Sequence, residues 1–174
     1  MLLAPAQETA TGFLAPADQS LVPAGPVRVI ARPASSAPLL VDGKRVDSTE
    51  PAPGVMTAVV HLAPGGHELE VAGVKLRLFA GSGPPPPGWK PFRAHPPAAA
   101  CDMCHLAKAG VWGLKRASAA SLCFTCHGRP QFPATHTHNT DILAECQGCH
   151  DPHGSTAKSH LKLPRERACK QCHA

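Results

Sequence analysis

Eight cysteines and eleven histidines set the chemistry of this 174-residue chain. The cysteines form four pairs of one spacing, each followed at once by histidine. They are Cys101-Asp102-Met103-Cys104-His105, Cys123-Phe124-Thr125-Cys126-His127, Cys146-Gln147-Gly148-Cys149-His150 and Cys169-Lys170-Gln171-Cys172-His173. Two cysteines three positions apart lie on one face of a helical turn. Their sulfurs can then meet the two vinyl groups on one edge of a porphyrin, and the adjacent histidine can bind the iron. The pattern predicts four covalently bound c-type haems (haem c), with His105, His127, His150 and His173 as proximal ligands. Four C-x-x-C pairs could instead hold two zinc ions by four thiolates each. Zinc sites do not require histidine after the second cysteine, and with eleven histidines in 174 residues four such coincidences have odds on the order of one in 10⁵. Disulfides and redox-active thiol pairs fail the same test.

The axial ligands can be counted. Four haems with histidine on both faces need eight, and the motifs supply four. Five more histidines lie in the same region: His95, His136, His138, His153 and His160. Five candidates cover four distal positions, and His160 and His136 compete for the last. His136 and His138 are two apart, so an extended segment points them to the same side. Met103 is the one methionine near a motif, and it sits inside the motif loop. No C-x-x-C-K occurs, and the histidines suffice to close every iron. A haem reductase of the nitrite or hydroxylamine type needs an open or lysine-ligated iron, so it is the less favoured chemistry.

The sites repeat. Cys101 to Cys123 is 22 positions and Cys146 to Cys169 is 23. His95 precedes Cys101 by six, and His138 precedes Cys146 by eight. Residues 95–127 and 138–173 therefore read as two copies of a two-haem unit. The second copy continues His150-Asp151-Pro152-His153-Gly154-Ser155. It resembles the multihaem c-type cytochromes with paired, doubled C-x-x-C-H motifs, in which an upstream histidine precedes C-x-x-C-H-D-P-H-G-S and a second motif follows about twenty residues later. The resemblance covers the last ~80 residues. It implies low-potential carriers in the style of class III tetrahaem cytochromes, as used in anaerobic respiration, and it puts His138 and His153 first among the distal ligands. The first copy departs from the pattern: Lys108 stands three after His105, where the second copy has His153.

These sites need elements to position them, and the composition changes near residue 81. Residues 1–80 hold no cysteine and only His61 and His67. Gly81-Ser82-Gly83-Pro84-Pro85-Pro86-Pro87-Gly88 then favours an extended, semi-rigid segment. The expected division is an N-terminal arm and β-sandwich-like domain at 1–80, a Pro/Gly-rich linker at 81–94 and a tetrahaem domain at 95–174. The first ~25 residues, rich in Ala, Pro and Thr, read as a loose arm or edge segment. Short β-prone runs follow at Val27–Val29, Leu39–Val41, Lys44–Val46, Met56–Leu62, His67–Val71 and Val74–Leu78, with Asp42-Gly43 as a hairpin turn. Leu62-Ala63-Pro64-Gly65-Gly66-His67-Glu68-Leu69-Glu70-Val71 resembles a hairpin of PEGA-like and immunoglobulin-like bacterial modules, in which the histidine is a strand residue. His61 and His67 read as structural.

Four haems in ~80 residues leave too little chain for an ordinary apolar core. The porphyrins must supply the core, wrapped by short helices and loops with little regular structure. The formal charge of +5 falls to about +1 once four ferric haems with ionised propionates are added. No dense Lys/Arg block marks a nucleic-acid footprint, and no apolar run approaches the ~20 residues of a membrane span. The N-terminus, Met1–Ala6, is too short and lacks the basic start of a signal peptide, yet haem is attached outside the cytoplasmic membrane. The expected place is periplasmic or extracellular, at the cell surface. The expected role is electron transfer between a redox protein donor and acceptor, without turnover of a substrate. The alternative is a subunit of a haem-lined filament or surface conduit, formed by self-association.

Overall fold

The computed structural model describes residues 11–96, 100–108, 111–128 and 146–171. Two sheets pack face to face. One has the order β1 (Gly12–Ala15), β3 (Gly25–Arg32), β7 (Val55–Leu62), β6 (Thr49–Ala52), antiparallel throughout. The other has the order β10 (Lys90–Pro91), β2 (Ser20–Val22), β9 (Val74–Ala80), β8 (Gly65–Val71), β4 (Leu39–Val41), β5 (Lys44–Val46). In this second sheet β2 runs parallel to both β9 and β10.

The core follows from the period of two. Val27, Val29 and Ala31 of β3 and Ala58, Val60 and Leu62 of β7 point inward from the first sheet. Leu39, Leu69, Val71, Leu76, Leu78 and Ala80 meet them from the second. Removing each leucine from water contributes about 1.5–3 kcal/mol. Asp42 and Gly43 both have positive φ, 50° and 76°, which is the turn whose twist matches a two-residue hairpin. Ala72-Gly73 makes the same kind of turn between β8 and β9, with φ of 49° and 78°. No side chain at Ala72 signals it, and the alanine bears a cost of about 1–2 kcal/mol.

The expected arm is ordered over its described part. β1 is an edge strand on β3, while β2 lies between β9 and β10. Ser20 is buried and its hydroxyl donates to the Ala17 carbonyl at 2.7 Å. Asp18 accepts from the Arg77 amide at 2.8 Å and pairs with the Arg77 guanidinium. Composition could not indicate the Asp18 pairing, because Arg77 lies 59 residues away.

The proline run leads into chain that touches both regions. Trp89 N–H donates to the Pro86 carbonyl at 3.3 Å, and Phe92 N–H to Leu21 at 2.9 Å. Phe92 packs against the sandwich core. Directly after it, β11 (Arg93–Ala94) pairs antiparallel with β14 (Gly154–Ser155).

Beyond residue 100 the described chain is built of one-turn helices and loops. Among the described residues the helices are Cys101–Cys104, Ala119–Cys123, Cys146–Cys149 and Arg165–Cys169, with a 3-10 turn at Lys158–His160. One hairpin joins them: β12 (His105–Lys108) with β13 (Val111–Leu114). Among the described residues here only Ala120, Gly154 and Ser155 are buried. The fold class expected from sequence is the one found: a strand-rich N-terminal region and a C-terminal region of short helices and loops.

Candidate functional site

Three C-x-x-C-H motifs share one local geometry. The backbone N–H of the histidine donates to the carbonyl of the first cysteine four residues back. His105 does so to Cys101, His127 to Cys123 at 2.9 Å and His150 to Cys146 at 2.9 Å. One helical turn thus sets both thiols and the imidazole together. The second motif extends a helix whose start is fixed by a capping box: Ser118 Oγ accepts from Ser121 N at 3.1 Å, and Ser118 N–H donates to Ser121 Oγ at 3.2 Å. In the fourth motif Cys169 ends the helix Arg165–Cys169. Cys172 and His173 lie outside the described residues, as do His136 and His138.

The segment after the third motif folds back on it. Asp151 N–H donates to the His160 carbonyl at 2.8 Å, and Lys162 N–H to Cys149 at 2.8 Å. The His150 Nδ1 lies 2.7 Å from the Ser159 carbonyl. That contact holds the proton on Nδ1 and leaves Nε2 as the free ligand nitrogen. Asp151 Oδ1 accepts from the His153 N–H at 2.9 Å. Ser155 Oγ donates to the Leu161 carbonyl and accepts from Ala157 N at 2.9 Å. Gly154 has φ of 134°, and a Cβ there would meet Phe92 Cζ at 2.5 Å and the Arg93 carbonyl at 2.6 Å. Only glycine lets β11 approach β14.

That approach gathers the histidines. His95 N–H donates to the His153 carbonyl at 3.3 Å. The His95 ring lies 6.0 Å from His127, inclined at 46°, and 5.4 Å from His160, edge-on at 74°. The His105 and His153 rings lie 6.4 Å apart and within 10° of parallel. Burial, then the neighbouring His160, His127 and His153, push His95 below its ordinary value. Burial and His153 do the same to His105, against a hydrogen bond to the Gly113 backbone carbonyl. Both shifts favour the neutral imidazole, the form that binds metal. His160 and the preceding Ser159 have left-handed φ, 53° and 57°, and the His160 Nδ1 is buried without a hydrogen-bond partner among the described residues.

The thiols of different motifs also converge. Burial raises the Cys123 thiol above its ordinary value, and Cys146, which hydrogen-bonds to it, and Cys104 raise it further. Among the described residues no three His, Cys, Asp or Glu side chains form a site for a bare metal ion. The donor set fits covalent haem: paired thiols on a helical turn, a neighbouring imidazole, and half-buried imidazoles brought in from other segments.

His67 stands apart in the sandwich. Its Nδ1 lies 2.7 Å from Asp42 Oδ2 and its Nε2 2.8 Å from the Ala63 carbonyl. Both partners are acceptors, so both nitrogens carry protons and neither can serve a metal. His61 is exposed on β7.

Of the candidate ligands, His95, His105, His127, His153 and His160 come together. Sequence reasoning weighed the histidines and missed the residues that position them: Asp151, Gly154, Ser155 and Phe92. The run Asp151-Pro152-His153-Gly154-Ser155 carried that signal, since a glycine there marks a close backbone approach.

A family model described as the doubled CXXCH motif matches residues 141–174. It covers the third and fourth motifs and supports a multihaem c-type cytochrome carrying covalently bound haem. No curated protein and no solved structure matches the chain. No helix among the described residues is long and apolar enough to cross a membrane.

Proposed function

We propose that the chain is a tetrahaem electron carrier, with haems held by Cys101/Cys104/His105, Cys123/Cys126/His127, Cys146/Cys149/His150 and Cys169/Cys172/His173. The observation that carries this reading is the fourfold motif, together with the gathering of surplus histidines onto its proximal ones. Haem iron supplies one-electron chemistry by cycling between ferric and ferrous states. The chain anchors four such groups, closes their axial positions with His95, His138, His153 and His160, and excludes water and substrates from the iron. His136 is the spare. The exposed Met103 (55%) and Leu106 (48%) are apolar groups suited to lie against porphyrin. Residues 95–174 form the haem domain in the class III tetrahaem style, residues 1–80 a PEGA-like or immunoglobulin-like sandwich that docks it, and 81–94 the connection.

The proposed place is outside the cytoplasmic membrane, in the periplasm or at the cell surface, where the carrier exchanges electrons with redox proteins. It turns over no substrate of its own. Intact mass under denaturing conditions tests the reading. Four haems add about 2.5 kDa to the 18.1 kDa chain, and a haem-free mass carrying zinc overturns it. The one surplus histidine favours a second reading, in which it serves a neighbouring copy's haem in a filament. A high-spin signal present in dilute monomer and lost on association would select that reading.

A further inference from the structure

Two imidazoles bound through nitrogen to opposite faces of one metal, each about 2.0 Å from it, hold their ring centres about 6.3 Å apart. His105 and His153 lie 6.4 Å apart with rings 10° from parallel. His95 and His127 lie 6.0 Å apart. His95 and His160, at 5.4 Å and nearly perpendicular, fall about 0.9 Å short of the span. Resting on the haem reading of the motifs, we propose that the first haem, on Cys101 and Cys104, takes its distal ligand from the second repeat, His153, while the haem on Cys123 and Cys126 takes His95 from its own.

Three further observations agree. Lys108 occupies the place in the first repeat that His153 holds in the second, so the first repeat has no histidine of its own there. The pairing of β11 with β14, possible only with Gly154, and the hydrogen bond from His95 N to the His153 carbonyl bring both distal histidines to one junction. Asp151 holds the His153 amide and lies 3.7 Å from its Nδ1, which turns Nε2 away from the carboxylate. The two repeats are then interlocked: neither the first haem nor its redox properties can be complete until the second repeat has folded against residues 93–95.

The test moves one ligand and removes one haem at a time. His153→Met in the four-haem protein should leave four haems by mass and give one haem the charge-transfer band of a methionine–iron bond. Adding Cys101→Ala/Cys104→Ala, which deletes the first haem, should abolish that band. Adding Cys123→Ala/Cys126→Ala instead should leave it intact. A band that survives loss of the first haem overturns the crossed pairing. Should the three-haem proteins not accumulate, paramagnetic NMR of His153→Met decides. Cross-peaks from the shifted methionine methyl to the haem bridged by Cys101 and Cys104 are expected, and cross-peaks to another haem overturn the pairing. A parent protein with no covalent haem by mass would instead overturn the haem reading itself.

Discussion

The sandwich and the haem region are folded by different means. In the sandwich Leu39, Leu69, Leu76 and Leu78 are fully buried, and two sheets interdigitate side chains of their own. Beyond residue 100 the described chain buries Ala120, Gly154 and Ser155, and its large apolar residues Met103 and Leu106 face outward. One region carries its core in its sequence. The other carries attachment points: thiols, imidazoles and the turns that aim them. An Ala-, Pro- and Gly-rich chain suits the second task, because it must turn often and fill little space around a large planar group.

The largest expected effect comes from withholding haem. Whole chain made without haem attachment should keep a folded sandwich and lose the C-terminal region, as small metal-dependent domains do. Amide NMR checks this: dispersed resonances should be confined to about residues 11–92. Dispersed resonances throughout residues 100–171 would break the comparison.

The next effect is confined to the sandwich. Leu78→Ala removes a fully buried side chain of β9 from the core between the sheets and should cost about 2–5 kcal/mol. Denaturant unfolding followed by far-UV circular dichroism should show the loss, while the haem visible spectrum stays as it was.

Gly154→Ala strikes the junction. Its Cβ would collide with Phe92 and the Arg93 carbonyl at a φ of 134°, at a cost of about 1–3 kcal/mol. The expected result is disturbed ligation at the haems served by His95 and His153, with the sandwich's unfolding midpoint nearly unchanged. Equal loss in both regions would mean that they fold as one unit.

His67→Ala should have the smallest effect. Burial alone would push His67 down, but Asp42 and the Ala63 carbonyl outweigh it and hold it above its ordinary 6.5. Burial would raise Asp42, but the Glu68 amide and His67 hold it below 3.8. The His67 contribution is complete below pH 6.5 and fades as pH rises through its folded value. The Asp42 contribution is complete above pH 3.8 and fades as pH falls through its own. The pair should therefore stabilise most between those limits, by about 0.5–1 kcal/mol for this partly exposed contact. Stability of the parent and His67→Ala proteins against pH should converge above the His67 titration, with no haem signal altered.

What sequence made legible follows from the range of each interaction. The one-turn helices of the motifs and the Asp42-Gly43 hairpin are local, and they stand where spacing and residue type put them. Strands β2 and β10 escaped notice because each depends on a partner distant in sequence, and Pro91 and Ser20 are poor strand signals by themselves. The meeting of His105 with His153 was equally hidden. It is made by β11 and β14, two-residue strands that exist only because Gly154 has no side chain. Histidine count could say that distal ligands suffice, while topology decides which ring meets which.

The most direct test is a redox titration of the intact protein followed by visible and EPR spectroscopy, with haem quantified on the same sample. Four haems per chain, all low-spin and six-coordinate with histidine on both faces, are expected. A high-spin haem in the unmutated protein that binds nitrite or hydroxylamine and turns it over would contradict an electron carrier.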